Sequence, residues 1–297
     1  MLLRSSSIRL RITAFCIVFI ICWAFSCRKT GVVNPFTESG PEPFPVKSGK
    51  VDEASGMADS YSNPGYLWVH EDSGRPTDLH LLSHDGTVAN KISIQGVTNR
   101  DWEEMAISNG PEAGKKYVYI GETGDNSQAY PQYFIYRFAE PAPGTDTVHQ
   151  VDKLQFRYPD GPHDSEAFFV DPTSKDIYLI TKRDAYSKVY RLAYPQSTTA
   201  INTAVFVTDL PYSGVVAAAY FEDRQELLIK TYHDIYYYKR GASQSVADLL
   251  KMSYLPVPHT VEPQGEALCF ANDGSGFFTL SEKAFAAAVN LNFYRRK

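Results

Sequence analysis

Residues 164–170 read DSEAFFV, an acid, a small polar residue and a second acid ahead of an apolar run. The pattern returns as QGEALCF at 264–270, DWEEMAI at 101–107 and, more loosely, DEASGMA at 52–58. Aligned on the apolar runs, SGMAD (55–59) matches EEMAI (103–107), EAFFV (166–170), AAAYF (217–221) and EALCF (266–270). A second β-rich run follows each, ending at Glu71, Glu122, Lys182, Thr231 and Glu282. Successive units begin 48, 63, 51 and 49 residues apart.

A period near fifty, with several short strands per unit, points to a β-propeller. One four-stranded sheet cannot bury both of its faces, and radial stacking on its neighbours buries them all. From about residue 50 the chain is a series of such runs, among them GYLWVHE, YVYIGE, YFIYRF, DIYLITK, ELLIKTY and GFFTLSE, bounded by Gly, Pro, Asn or Asp. Only SVADLLKM (245–252) and KAFAAAV (283–289) suit a helical turn. The expectation is an all-β propeller over 49–297 with five visible repeats. Six blades are the alternative if the long interval after 103 hides another, and a β-sandwich is the competing architecture. The run AVNLNFYRR supplies a third strand to the last unit, and the segment around FPVKSGK closes the ring.

Strand side chains alternate faces, so Asp101 with Glu103, Asp164 with Glu166, Gln264 with Glu266 and Glu53 with Ser55 share a face, while Glu104 takes the other. The first strand of a propeller blade lines the central channel. These acids are therefore expected to converge at one end of the axis, and hairpin geometry brings Glu71, Glu122 and Glu282 back to the same end. Lys182, Arg183 and Lys230 hold the matching positions in the third and fourth units and are the candidate ligand-binding cations. Asp125 and Asn126, in the acidic turn GETGDNS (121–127), complete the set. A ring of carboxylates is stable if some stay protonated, if basic groups intervene, or if a cation binds. Oxygen ligands of this kind suit Ca²⁺ or Mg²⁺. The bland alternative is that the acids only solvate a water-filled channel.

Histidines offer a base. His70 adjoins Glu71 and His163 adjoins Asp164, which makes these two the candidate catalytic residues ahead of His233 and His259. The chain has no G-x-S-x-G elbow, H-E-x-x-H, Walker loop or dinucleotide fingerprint, which disfavours a serine hydrolase or a nucleotide enzyme.

The N-terminus reads as an address. Arg4, Arg9 and Arg11 precede an apolar run from Ile12 to Phe25, so residues 1–26 are expected to be an export signal of the lipoprotein type. AFSC (24–27) resembles a bacterial lipobox with Cys27 as the lipidated residue. A Pro-, Gly- and Ser-rich tether is expected over 27–48. Cys16 and Cys22 lie in the signal, which leaves Cys269 alone in the domain and excludes both a disulfide framework and a zinc cluster. With the three signal arginines set aside, 26 Lys and Arg face 34 Asp and Glu, so nucleic acid is not an expected partner.

The run NRDWEEMAIS, then YVYIGETGDN and IYRF, an EAFF segment, a VVAAAYF segment and a closing GEAL with TLSE, resembles a family of secreted, uncharacterised bacterial propellers. That family is similar in turn to phytase-like and gluconolactonase-like propellers. In the lactonase-like enzymes a divalent cation sits at the channel mouth on a Glu, an Asn and an Asp. The resemblance implies such work for Glu103 or Glu166, Asn126 and Asp125. The chain departs from the pattern at Ala217, where an acid is expected.

The expectation is thus an exported, lipid-anchored monomer of the outer membrane, periplasm or cell surface, touching membrane only through its lipid. Its acidic mouth binds, or with a metal hydrolyses, a small polar lactone, ester or phosphate ester. The competing class is a non-catalytic propeller that binds a surface glycan or protein, with any cation structural.

Overall fold

Five strands, Ala54–Asp59, Trp102–Asn109, Ser165–Val170, Val215–Phe221 and Gly265–Phe270, stand side by side around one axis, each touching the next and the last touching the first. The computed structural model describes residues 33–47, 49–283 and 288–297. Each of the five strands is the innermost of an antiparallel sheet whose later strands lie successively farther out. The chain is a five-bladed β-propeller.

The apolar patterning accounts for this arrangement. Five core clusters occur, and each is filled by the facing sides of two adjacent blades. Trp68, Leu79 and Ile92 of blade 1 meet Trp102, Val118 and Tyr136 of blade 2. Phe169, Tyr178 and Ile180 of blade 3 meet Val215, Leu227 and Tyr238 of blade 4. The fifth cluster joins blade 5 to blade 1 through Leu280, Leu291, Leu67 and Val69. Because the core is divided among the five gaps, the inner strands are buried on both faces and read as continuous apolar runs. The Trp and Tyr residues scattered through the sequence are mostly this packing, as at Trp68, Trp102, Tyr136 and Tyr190.

The ring closes as the sequence implied. In blade 5, Val289–Arg295 is the third strand, and Glu42–Val46 lies antiparallel outside it, from Glu42 opposite Phe293 to Val46 opposite Val289. The tether expected over 27–48 is therefore shorter. Its second half is blade, and Phe36 is fully buried edge-on to Tyr237 and Phe277 between blades 4 and 5. Pro and Gly mark this segment as irregular without revealing that it is pinned.

The long interval after residue 103 hides no sixth blade. Its extra residues form the turn that carries Asp125 and a linker that runs back to place Thr147–Val148 parallel against Ser93 and Ile94 of blade 1. Asn202–Thr203 does the same for blade 2 against Phe156 and Arg157. One helical turn, Val246–Leu249, is capped by the Ser245 side chain accepting from the Asp248 amide. Most of the second candidate helix lies outside the described residues, as do the signal and Cys27. Among the described residues no helix is long and apolar enough to cross a membrane.

Phe36→Ala should cost about 3–5 kcal/mol in chemical denaturation, the usual price of removing a buried Phe. A change near zero would return that residue to the tether.

An acidic funnel at one end of the axis

The pairing between the first and second strands breaks at the same place in every blade. The breaks fall between Ala54 and Gly56, Trp102 and Met105, Ser165 and Ala167, Val215 and Ala217, and Gly265 and Ala267. The unpaired residues are Ser55, Glu103 with Glu104, Glu166, Val216 and Glu266. A bulge inserts a residue and re-aims its side chain. Glu103, Glu166 and Glu266 are thereby turned into a cavity of about 230 Å³ on the axis, whose lining residues are all polar. The plain two-residue alternation expected for these strands is broken at the very residues that matter. The position that lacks an acid is Val216, not Ala217.

Blade 2 carries two unpaired residues, and they divide the work. Glu103 faces the cavity. Glu104 is fully buried and reaches across the axis, its Oε2 accepting from the Ala218 amide of blade 4 at 2.6 Å and its Oε1 from the Met105 amide at 3.0 Å. Burial pushes this carboxyl well above the usual range.

The second strands return to the same end one residue later than expected. Ala54, Trp102, Ser165, Val215 and Gly265 pair with Glu71, Glu122, Thr181, Thr231 and Ser281. The next residues are Asp72, Thr123, Lys182, Tyr232 and Glu282, and all but Thr123 line the cavity. Glu71 and Glu122 therefore point elsewhere, since a slip of one residue reverses every face. Glu71 accepts from the Asp52 amide at 3.0 Å and pairs with His80 at 3.3 Å. Glu122 is buried, taking hydrogen bonds from Thr98 at 3.0 Å and from Tyr136.

The remaining expected residues divide between wall and support. Asp101, Asn126, Lys182 and Arg183 line the cavity with the three bulge glutamates and Glu282. Asp164 lies fully buried behind them, holding the Asp125 amide at 2.7 Å and Arg183 Nε at 2.6 Å. Asp125 spends its carboxylate on its own turn, accepting from Tyr130 N and Tyr133 Oη at 2.8 Å each. Asn126 accepts from Arg183. Glu53 pairs outside with Arg75 at 2.5 Å. Lys230 is buried off the cavity, donating to the Gly265 carbonyl at 2.5 Å, and burial lowers its pKa.

Neither candidate catalytic histidine lines the cavity. His163 is buried with Asp184 at 3.1 Å, Asp160 at 3.2 Å and Tyr190 Oη at 2.9 Å. His70 is fully buried against Trp102, pushed down to about 4 by that burial, and donates to the Glu71 carbonyl at 3.2 Å. Adjacency to an acid in sequence placed them on the opposite face of the strand or in the loop behind it.

Three lining residues, Asp72, Ser73 and Tyr232, escaped the sequence reading. The register signal was present: the residue after each second-strand pair is polar in all five units. Gly124 has a local reason too, because a Cβ there would collide with the carboxylates of Glu103 and Asp101.

Six carboxylates, those of Asp72, Asp101, Glu103, Glu166, Glu266 and Glu282, share the cavity with Lys182 and Arg183. Lys182 contacts Glu166, donates to Tyr232 Oη at 3.0 Å and lies 3.9 Å from Glu266, while Tyr232 donates to Glu266. The other acids are less compensated. Burial and then Glu166 push Glu103 well above the usual range, burial and then Glu266 push Glu282 to about 8, and burial and then Asp101 push Asp72 to about 6.

This donor set fits a hard divalent cation. Asp72, Asp101 and Glu103 each offer an oxygen within 4.8 Å of the others, as do Glu103, Asp164 and Glu166. Oxygens bound to one Ca²⁺ at about 2.4 Å cannot lie farther apart than about 4.8 Å, so both groups are within span. Asp72 Oδ1 is buried and has no hydrogen-bond partner.

No protein-family model matches the chain, and no curated protein matches it. Among solved structures it is similar to two propeller structures. One is the holo form of the pyranose dehydrogenase PQQ domain from Coprinopsis cinerea, at 12% identity over 88% of this chain and 96% of that one, TM-score 0.49. The other is a nidogen/laminin complex, at 10% identity over 77% of this chain and 72% of that one, TM-score 0.42.

The raised carboxyls fix a sign for pH dependence. A carboxyl whose pKa rises on folding contributes stability that is full below its unfolded value, about 4.3 for Glu, and is lost as pH climbs through the folded value. With Asp72 at about 6 and Glu282 at about 8, the melting temperature in chelator should fall from pH 5 to pH 9. Glu282→Gln should flatten the upper part of that slope in a thermal-shift series.

Proposed function

We propose that this protein is an exported, lipid-anchored propeller whose funnel holds a calcium-type cation and there binds, and acts on, a small polar ligand of the lactone, ester or phosphate ester class. One observation carries the reading. Bulges in three separate blades deliver Glu103, Glu166 and Glu266 to a single cavity, where the fold tolerates six carboxylates against two cationic groups. The resemblance to lactonase-like and phytase-like propellers supports the same reading.

Asp72, Asp101 and Glu103 are the first candidates to hold the ion, since none of the three has a printed ionic partner of its own and their oxygens converge. When bound, the cation supplies a Lewis acid to a ligand carbonyl or phosphoryl oxygen. The chain's own residues do the rest. Lys182 has one N–H beyond those given to Glu166 and Tyr232 and can donate it to a ligand oxygen. Arg183, on the rim, has guanidinium N–H groups beyond those held by Asp164 and Asn126. Glu282, half-exposed to the cavity and poised near neutrality, can hold or release a proton, a role that the positions of His70 and His163 deny to them.

A second reading, a structural cation in a non-catalytic surface propeller, is favoured by the internal pairing of Glu166 with Lys182 and of Asp164 with Arg183.

Calcium added to chelated protein should raise the melting temperature, by the equivalent of about 2.7 kcal/mol at a hundred times its Kd. Glu103→Gln with Glu166→Gln should abolish the rise, and Asp72→Asn, at a half-buried position, should weaken it without endangering the fold. An undiminished rise in all these variants removes the ion from the funnel. Hydrolysis of lactones, aryl esters or phosphate esters by the calcium-loaded protein separates enzyme from binder, and a silent panel with the ion bound favours the second reading. For the N-terminus, Cys27→Ser should release the protein from the membrane fraction and end labelling by radioactive palmitate.

A further inference from the structure

The same five strands that open the funnel at their first residues end in a second hollow at the other face of the disc. Asp59, Ser108, Val170, Phe221 and Phe270, at or next to the strand ends, all border it, and its volume is about 50 Å³. Glu103 belongs to the funnel and Met105 to the hollow. Between them Glu104 spans the axis to Ala218, so the two cavities are separate sites.

The hollow differs from the funnel in chemistry. Its walls are apolar and aromatic, with Phe169, Tyr220, Phe221 and Phe270 among them, and Tyr61 stands at its rim, 41% exposed. Around that rim the charge is negative. Asp59, Glu140, Glu222 and Asp223 all act on the Tyr61 hydroxyl, which burial first and then these acids push up to about 12. Against them stand Lys116, paired with Glu222 at 2.9 Å, and His84, paired with Asp59 at 2.8 Å, with Arg224 nearby at Gly274. Lys116 Nζ lies 4.7 Å from the Tyr61 ring centroid, so the ring already accepts one cationic group.

An anion would meet these carboxylates unfavourably, and a neutral apolar molecule would gain nothing from them. A primary ammonium would bring three N–H donors to walls that offer few acceptors, and unsatisfied donors are costly. A methylated ammonium carries its charge on an apolar surface with no N–H to satisfy, and aromatic rings beside carboxylates are what such a cation prefers. We propose that this second opening is a binding site for a quaternary ammonium group, with Tyr61 as the ring it meets and Asp59, Glu222 and Asp223 as the opposing charge. The inference is independent of the cation in the funnel.

Choline and its neutral carbon isostere, 3,3-dimethylbutan-1-ol, separate the charge from the shape. In chelator at matched ionic strength, isothermal titration should show saturable binding of choline and none of the alcohol. Tyr61→Leu and Asp223→Lys, both at exposed positions, should each weaken choline binding about threefold to tenfold, with the melting temperature of the free protein unchanged. Equal binding of choline and the alcohol, no binding of either, or choline binding untouched by both substitutions would overturn the proposal.

Discussion

No blade of this propeller can exist alone. Each sheet has two faces to bury and only its neighbours to bury them against, so the five core clusters occupy the five gaps between blades, and none lies within a single blade. Closing the ring is therefore a condition of stability. It explains why the N-terminal segment supplies the outer strand of blade 5, why Phe36 is driven into the last gap, and why Thr147–Val148 and Asn202–Thr203 hook one blade onto another.

Radial packing also decides what the axis can hold. Five inner strands meet there with their first residues at one end and their last at the other. A bulge near the start of each turns one side chain inward, and three of the five are glutamates. At the opposite end the strands close in on one another through Met57, Met105, Phe169 and Phe270. The doubled bulge of blade 2 places Glu104 between these regimes, in hydrogen bonds to two backbone amides. The result is one axis with a wet, acidic end and a dry, aromatic end.

The acidic end is held in a state of incomplete compensation. Lys182 and Arg183 neutralise Glu166 and Asp164, and Tyr232 links Lys182 to Glu266. Asp72, Asp101 and Glu103, from blades 1 and 2, lack comparable partners, and burial raises all three. Water-exposed carboxylates would repel one another only weakly. Partly withdrawn from water, they favour whatever brings positive charge, whether protons or a metal ion.

The sequence by itself determined the architecture, because apolar runs at a near-constant interval record a demand for burial that only stacked blades meet. It also determined that Glu103, Glu166, Glu266, Asp101 and Glu282 share one end of the axis, since their place in the repeat is a matter of counting. What only the tertiary structure decided was direction. Glu71 and Glu122 lie one residue from the wall that Asp72 and Glu282 occupy, Asp125 turns back on its own loop, and His70 and His163 face away. Lys230 is sealed behind the wall that Lys182 forms. A bulge or a register slip of one residue reverses a side chain without changing composition or period, so it is settled by hydrogen bonding between strands far apart in the chain. The repeat shows where the strands run; their pairing decides which way each side chain points.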